Sequence, residues 1–370
     1  MSRRHAMWAM IVKEFRQVRR DRRTLAMMIV LPVLLLVVLG YAASFDVKTI
    51  TVAASGPQAG SVASILRAPF DVTRTAPDRG PSWARDQLRD GKADVAVVTG
   101  GARPHVLIDG SQLFSAKAAL AALAEMQQRA PSGPGGTGLH PTVTVLYNPG
   151  LKTSNIMIPG LCGVVLVFVG TIITSLGVVR ERQTGTLEQL AVMPLKPRDV
   201  FLGKIVPYFL VAAVDLAIVL AVGITIFGVP FHGSPATFGL GALLFLFVTL
   251  GIGVLISSVS QNQGQAIQLA VMTLLPQVLL SGLIFPLSSI AAGVRWIAYF
   301  LPLTYFNQIS RGVMLRAEPI TALWQPFVFL ALLGVIVVTG ATLRFRSYLA
   351  PAARERRPRK AAVQAQGAGA

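Results

Sequence analysis

The chain alternates between long uncharged apolar runs and polar stretches that carry nearly all of its charge. Six runs reach the length of about 20 residues that crosses a bilayer. They are Thr24–Ala43, Ile158–Val179, Ile205–Phe227, Thr237–Val259, Ala266–Phe285 and Ala322–Leu343. Each predicts a membrane-spanning helix, because in lipid the backbone N–H and C=O groups must satisfy one another. The first run is preceded by a basic segment, Met1–Arg23, and followed by Ala42-Ala43-Ser44, a small-residue site of the kind a leader peptidase cuts. Its apolar stretch exceeds the usual leader length, so it reads as a retained anchor.

Two polar stretches have patterns of their own. In Met1–Arg20, Met7, Ile11, Phe15 and Val18 recur at helical spacing with Arg and Lys on the remaining face. This is an amphipathic helix suited to lie in the inner membrane interface, where its bases meet anionic headgroups. Ser44–Asn155 is 112 residues long, enough for one folded domain. Lys48–Ala54 and Pro141–Tyr147 alternate apolar and polar positions, and Asp94–Val98 and His105–Ile108 are short apolar runs. All four read as strands. Ser82–Asp90 reads as a helix stopped by Gly91, Ser115–Arg129 is an Ala-rich helix, and Pro131–Gly138 is a linker. The order predicts a small α/β unit.

Composition narrows the class. Only 14% of residues are charged and 53% are hydrophobic, yet the net charge is +18. That excludes general disorder, and it makes a soluble nucleic-acid binder a poor fit. The bases instead report orientation. Eight Lys and Arg precede the first run, five lie between the second and third, and seven follow the sixth. The opposite connections hold none (Gly228–Ala236) and three (Pro286–Thr321). The positive-inside rule then places both termini in the cytoplasm and the 112-residue domain outside. The single cysteine, Cys162, sits in an apolar run and reads as a small packing residue. Four scattered histidines show no metal spacing, and no Gly-x4-Gly-Lys-Ser/Thr string occurs. No catalytic, cofactor or metal site is expected on this chain.

The most informative polar stretch is Arg180–Asp199. Thr186 and Gln189 fit a capping box, Leu187, Leu190 and Ala191 make a small apolar face, and Pro194 and Pro197 end it. A capped two-turn helix between two spans suits docking into a groove on a cytoplasmic partner, or a structural role at the interface. Arg180-Glu181-Arg182, then Gly185-Thr186-Leu187-Glu188-Gln189-Leu190, Pro194-Leu195 and Gly203-Lys204, resemble the signature of ABC-2-type permeases, the membrane subunits of ABC exporters. Asp109-Gly110-Ser111 and Tyr147–Gly160 are similar to the subfamily with a large external domain. Leu301–Tyr305 with Arg311-Gly312 resembles the family's last external hairpin.

The resemblance implies an all-α membrane bundle of six transmembrane helices with an inserted extracytoplasmic α/β domain and an N-terminal amphipathic interfacial helix. The domains expected are residues 1–23 (connecting helix), 24–43 (first span), 44–155 (external domain), 156–349 (membrane domain) and 350–370 (basic tail). The coupling helix would be 185–193, and 286–316 a re-entrant external hairpin. Trp296, Tyr299, Phe300, Tyr305 and Phe306 suit the membrane interface there. Arg180, Glu181, Gly185, Thr186, Leu187, Glu188, Gln189 and Leu190 would receive the stroke of the ATPase. Partners implied are two copies of an ABC ATPase subunit that binds the ATP, a second permease copy (identical or a paralogue), membrane lipids and, as a further candidate, a periplasmic adaptor. Nucleic acid is not implied. The location would be the bacterial inner membrane. The cargo expected is drugs or other hydrophobic small molecules, with lipid-linked cargo and polysaccharide behind. A non-transporting receptor with an external sensing domain is the competing class.

Asp215 is the only acidic residue inside a span, and Gln268 and Gln277 lie inside the fifth. Asp215 costs about 2.5–3.5 kcal/mol at mid-membrane, which the apolar residues of its run outweigh. It reads either as a cation or proton site in the path or as a protonated acid bonded within the bundle. Gln268 and Gln277 would line the path or the dimer seam, or make interhelical amide bonds.

Overall fold

The computed structural model describes residues 47, 49–101, 103–129, 141–184 and 197–349. The connecting helix, the first expected span, the linker at 131–138, the basic tail, and Gly185, Thr186, Leu187, Glu188, Gln189 and Leu190 lie outside the described residues.

Residues 50–146 build a five-stranded sheet. Its elements are β1 (Ile50–Ser55), α1 (Ala59–Ile65), β2 (Phe70–Ala76), α2 (Pro81–Arg89), β3 (Val95–Val98), β4 (His105–Asp109), α3 (Leu113–Arg129) and β5 (Thr142–Leu146). The strand order is β2-β1-β3-β4-β5, with β3 and β4 antiparallel and every other pair parallel. Successive strand side chains face opposite ways, so each face needs its own cover. Ile50, Val52, Val95 and Val97 pack under α1 and α3, against Ala59, Val62, Ala116 and Leu123. Ala53, Ala96 and Leu107 pack under α2, against Ala84 and Leu88. Burial on both faces explains the near-continuous apolar character of β3 and β4.

The rest is helical. α4 (Thr153–Val167) continues through a π-helical segment, Phe168–Ile173, into α5 (Thr174–Gln183) as one rod. α6 (Pro197–Thr225), α7 (Pro235–Val259), α8 (Gln263–Leu280), α9 (Ala292–Ala298), α10 (Pro302–Arg316) and α11 (Trp324–Leu349) follow. The start of α7 is set by Pro235 and by Ser234, whose hydroxyl accepts from the Thr237 N–H. Asn262 caps α8 in the same way through the Gln265 N–H at 2.9 Å. The core centres on Phe306, which stacks on Phe245 with ring centroids 4.6 Å apart.

Among the described residues, four helices are long and apolar enough to cross a membrane: Thr153–Arg180, Pro207–Thr225, Pro235–Val259 and Trp324–Arg344. The first and third are mostly buried within the chain (67% and 61%), the second and fourth mostly exposed (17% and 22%). The run expected at Ala266–Phe285 is not among them. Its helix, α8, stops at Leu280, and Gly282 then adopts φ +81°. A turn at that left-handed glycine cannot be seen in hydropathy alone. The aromatic set expected at the interface is also divided. Trp296, Tyr299 and Phe300 are exposed, whereas Tyr305 and Phe306 are buried in the bundle core.

Candidate functional site

After β5 the chain passes from the sheet into the bundle through a tight turn. Tyr147 and Leu151 both take left-handed backbone conformations (φ 64° and 45°) between β5 and α4. Asn148 holds the turn. Its side-chain amide donates to the Lys152 carbonyl at 3.1 Å, and its side-chain carbonyl accepts from Lys152 N–H at 3.1 Å and from the Asn155 amide at 3.0 Å. Leu113, Ile156 and Leu315 pack together beside it, so the starts of α3 and α4 and the end of α10 share one apolar contact.

Next to that contact lies a buried ionic cluster. Arg316, the last residue of α10, faces Asp109 at the end of β4 at 3.4 Å. It also donates to the Ser111 hydroxyl at 3.2 Å and to the Glu318 carboxylate at 2.9 Å. The three charged side chains are only 7%, 1% and 3% exposed for Arg316, Asp109 and Glu318. Two backbone features let them meet. A Cβ on Gly110 would lie 2.7 Å from the Leu146 carbonyl oxygen, so only glycine fits between Asp109 and Ser111. A Cβ on Gly312 would collide with the Glu318 carboxylate. Burial pushes both carboxyls above their usual range, and Arg316 opposes the shift in each. Burial alone would lower Arg316, but Glu318 and Asp109 outweigh it and hold the guanidinium more firmly charged. Tyr147 is pushed up to about 12 by burial and by the Asp109 charge.

A second polar seam runs inside the bundle. The Arg311 guanidinium donates to the carbonyls of Gly282 and Leu283, both at 3.1 Å. Asn307 donates to the Ser281 hydroxyl at 3.0 Å. These bonds satisfy carbonyls left open where α8 ends. Gln277 is buried nearby, and its side-chain carbonyl oxygen has no partner among the described residues. The same holds for the side-chain oxygens of Gln268 and Asn307. Asp215 is half-buried on α6, a helix whose neighbouring Leu210, Val214 and Ile218 are exposed. Asp215 thus lies on α6, and Gln268 and Gln277 on α8. At the other end of the bundle Arg180 is exposed, and Gln183 accepts from the Gln263 amide at 3.1 Å, tying the end of α5 to the start of α8.

The far end of the sheet differs in character. Strands β2 and β3 leave β1 in opposite directions, and an open cleft of ≈ 860 Å³ lies at their carboxyl ends. It is lined by Gly56, Asp78, Arg79, Gly100 and Arg103, among others.

Sequence comparison places this architecture. The sequence profile of the "ABC-2 family transporter protein" family matches residues 22–343. The chain belongs to that family. It is 30% identical over 359 residues to the "Probable multidrug ABC transporter permease YbhR" of Escherichia coli K12, covering 91% of this chain and 96% of the relative. It is 28% identical over 333 residues to "Probable multidrug ABC transporter permease YbhS" of the same strain, covering 84% and 88%. The "Inner membrane transport permease YhhJ" is 34% identical over 177 residues, 47% of each chain. The protein is thus an ABC-2 permease, a multi-pass membrane protein of a family that works with an ABC ATPase subunit.

In the sequence, Asp109-Gly110-Ser111 and Arg311-Gly312 stand out only by their resemblance to the family, and Arg316 and Glu318 only as charges of the last hairpin. The available signal was an Arg and a Glu two residues apart in a hairpin between apolar runs, where charge is costly.

Proposed function

We propose that this permease is the membrane half of an ATP-driven exporter that moves drugs or other hydrophobic or amphipathic small molecules outward. The observation that carries the reading is the sequence of Arg180–Asp199, which runs from the end of α5 to the start of α6 and in which Thr186, Leu187, Gln189, Leu190 and Ala191 fit the pattern of a capped helix with one apolar face. Such a face suits a groove on a separate ATPase. Two ATPase copies bind and hydrolyse the ATP, and their closure pushes on residues 185–193 of two permeases. Six spans, counting Thr24–Ala43 and the segment through α8, leave both termini in the cytoplasm and the sheet domain outside. The exposed apolar faces of α6 and α11 support lipid or a second permease copy as their cover. The names of the relatives support the substrate class.

The test is purification of the full chain in detergent after expression with its ATPase. The ATPase copurifies with the natural chain and is lost with Leu187→Asp combined with Leu190→Asp, while the variant still reaches the membrane. Copurification that survives the double change removes the docking claim.

A further inference from the structure

The buried cluster at the foot of the sheet holds two carboxylates and one guanidinium. Fully ionised, Asp109, Glu318 and Arg316 carry one uncompensated negative charge with almost no access to water. A buried unpaired charge is strongly disfavoured, and a titratable group in that position takes up a proton instead. With one proton the cluster is neutral. With two it leaves a lone buried cation, which is disfavoured again.

We propose that Asp109 and Glu318 form a one-proton binding site whose occupancy sets how firmly the sheet domain is seated on α10 and α4. The geometry makes the cluster the electrostatic element of that seat. Asp109 comes from the sheet, Arg316 and Glu318 from the end of the hairpin, and they meet beside the apolar contact of Leu113, Ile156 and Leu315. The proton belongs to the carboxylate pair, because the two sites interact through the same guanidinium. Among the described residues, the other charged groups that act on the pair are few. Asp94 and Asp90 add negative charge, which favours uptake of the proton. Arg89 acts on Tyr147 at the rim, and Arg311 lies along α10 from Arg316. Among the described residues the Arg316 Nε–H has no partner.

The sign follows from linkage. The seated state raises the affinity of the pair for its proton, and so binds more protons than the unseated state over the window between their titrations. Seating is therefore strongest on the acid side of that window and weakens as pH rises through the titration of the buried pair. For one linked proton the seated-to-unseated ratio falls by at most about tenfold per pH unit.

The test uses the full chain in lipid nanodiscs, where both faces see the same pH. Spin labels are placed at Lys117→Cys on α3 and Ile320→Cys beyond α10, both exposed positions, in a Cys162→Ser background. Labelled chain is diluted with unlabelled chain so that only distances within one copy are read by pulsed electron resonance. The distance population of the seated state is expected to fall as pH rises from about 5 to about 9. Glu318→Gln and, separately, Asp109→Asn remove the linked proton and flatten the profile. His232→Gln, which removes a nearby imidazole, keeps it. A flat profile in the unaltered cluster overturns the proposal, whatever the variants do. So does a full slope in Glu318→Gln or in Asp109→Asn.

Discussion

Replacing Gly312 by alanine sets helix propensity against a buried ion pair, and the structure says which wins. Gly312 lies inside α10, where alanine is intrinsically favoured by about 1 kcal/mol. The added methyl, however, would occupy the place of the Glu318 carboxylate and lie 3.1 Å from Leu323 Cδ2. The carboxylate must leave, which breaks its 2.9 Å bond to Arg316. Removing one partner of a buried pair costs about 3–5 kcal/mol. Asp109 still faces the guanidinium, so the lower end of that range applies. After the propensity gain the net loss is about 2 kcal/mol. At about 2.1 cal/mol/K of unfolding entropy per residue, a chain of 370 residues then loses roughly 2–3 °C of its unfolding midpoint. The comparison is Gly239→Ala in α7, where a Cβ meets nothing within 4 Å and propensity acts alone. Thermal unfolding of both variants in one detergent, followed by loss of the monodisperse species, reads the difference. Gly239→Ala is expected to equal or exceed the parent, and Gly312→Ala to fall below it. A Gly312→Ala chain as stable as the parent would mean that the Arg316–Glu318 pair contributes nothing, and the reasoning would fail.

Asp215→Asn is expected to lose export of a hydrophobic dye from energised vesicles while the ATPase still copurifies; undiminished export would end the reading of Asp215 as part of the path. Arg311→Met strands the carbonyls of Gly282 and Leu283, two bonds to a charged donor worth about 3–6 kcal/mol together. The chain between α8 and α9 should then be cut faster by protease in the folded membrane protein, and unchanged cleavage would remove the role assigned to Arg311. The Tyr147 phenol, raised from 10.0 to about 12, favours folding in its neutral form. Its contribution is complete below its ordinary pKa and is lost as pH rises through about 12. Ultraviolet difference titration against Tyr147→Phe checks this, and an ionisation at the ordinary tyrosine value would contradict the burial argument.

The parts of the fold readable from sequence are those fixed by a single local requirement. Bilayer thickness sets a length, so Thr237–Val259 anticipated α7 to within two residues at its start. Alternation and short apolar runs marked β1, β3, β4 and β5, and Gly91 at φ +61° ends α2 as a left-handed stop should. β2 was missed because Phe70–Ala76 is an edge strand that exposes Asp71, Thr73, Arg74 and Thr75, so it carries no apolar period. The seven-residue α1 was missed because two turns are too short for a helical pattern. The fifth run was drawn too long because what ends α8 is tertiary. Arg311 and Asn307, from a helix 26 to 29 residues further on, take the carbonyls and hydroxyl of residues 281–283.

Charge is where local reading and structure part most clearly. The three bases of Pro286–Thr321 entered the sequence argument only as a weak opposing count in the positive-inside comparison. None of them is a free surface cation. Arg295 donates to the carbonyls of Ser288 and Ile290. Arg311 holds the end of α8, and Arg316 is enclosed with Asp109 across 207 residues of sequence. A guanidinium already bonded to carbonyls or carboxylates offers little to headgroups, because it is turned inward and its charge is screened by its partners. The hairpin has three bases in sequence, and the fold turns them inward as cross-links. The same conversion explains why the buried cluster was invisible beforehand. Its members were legible one at a time as charges, and their chemistry exists only where β4 and α10 bring them together.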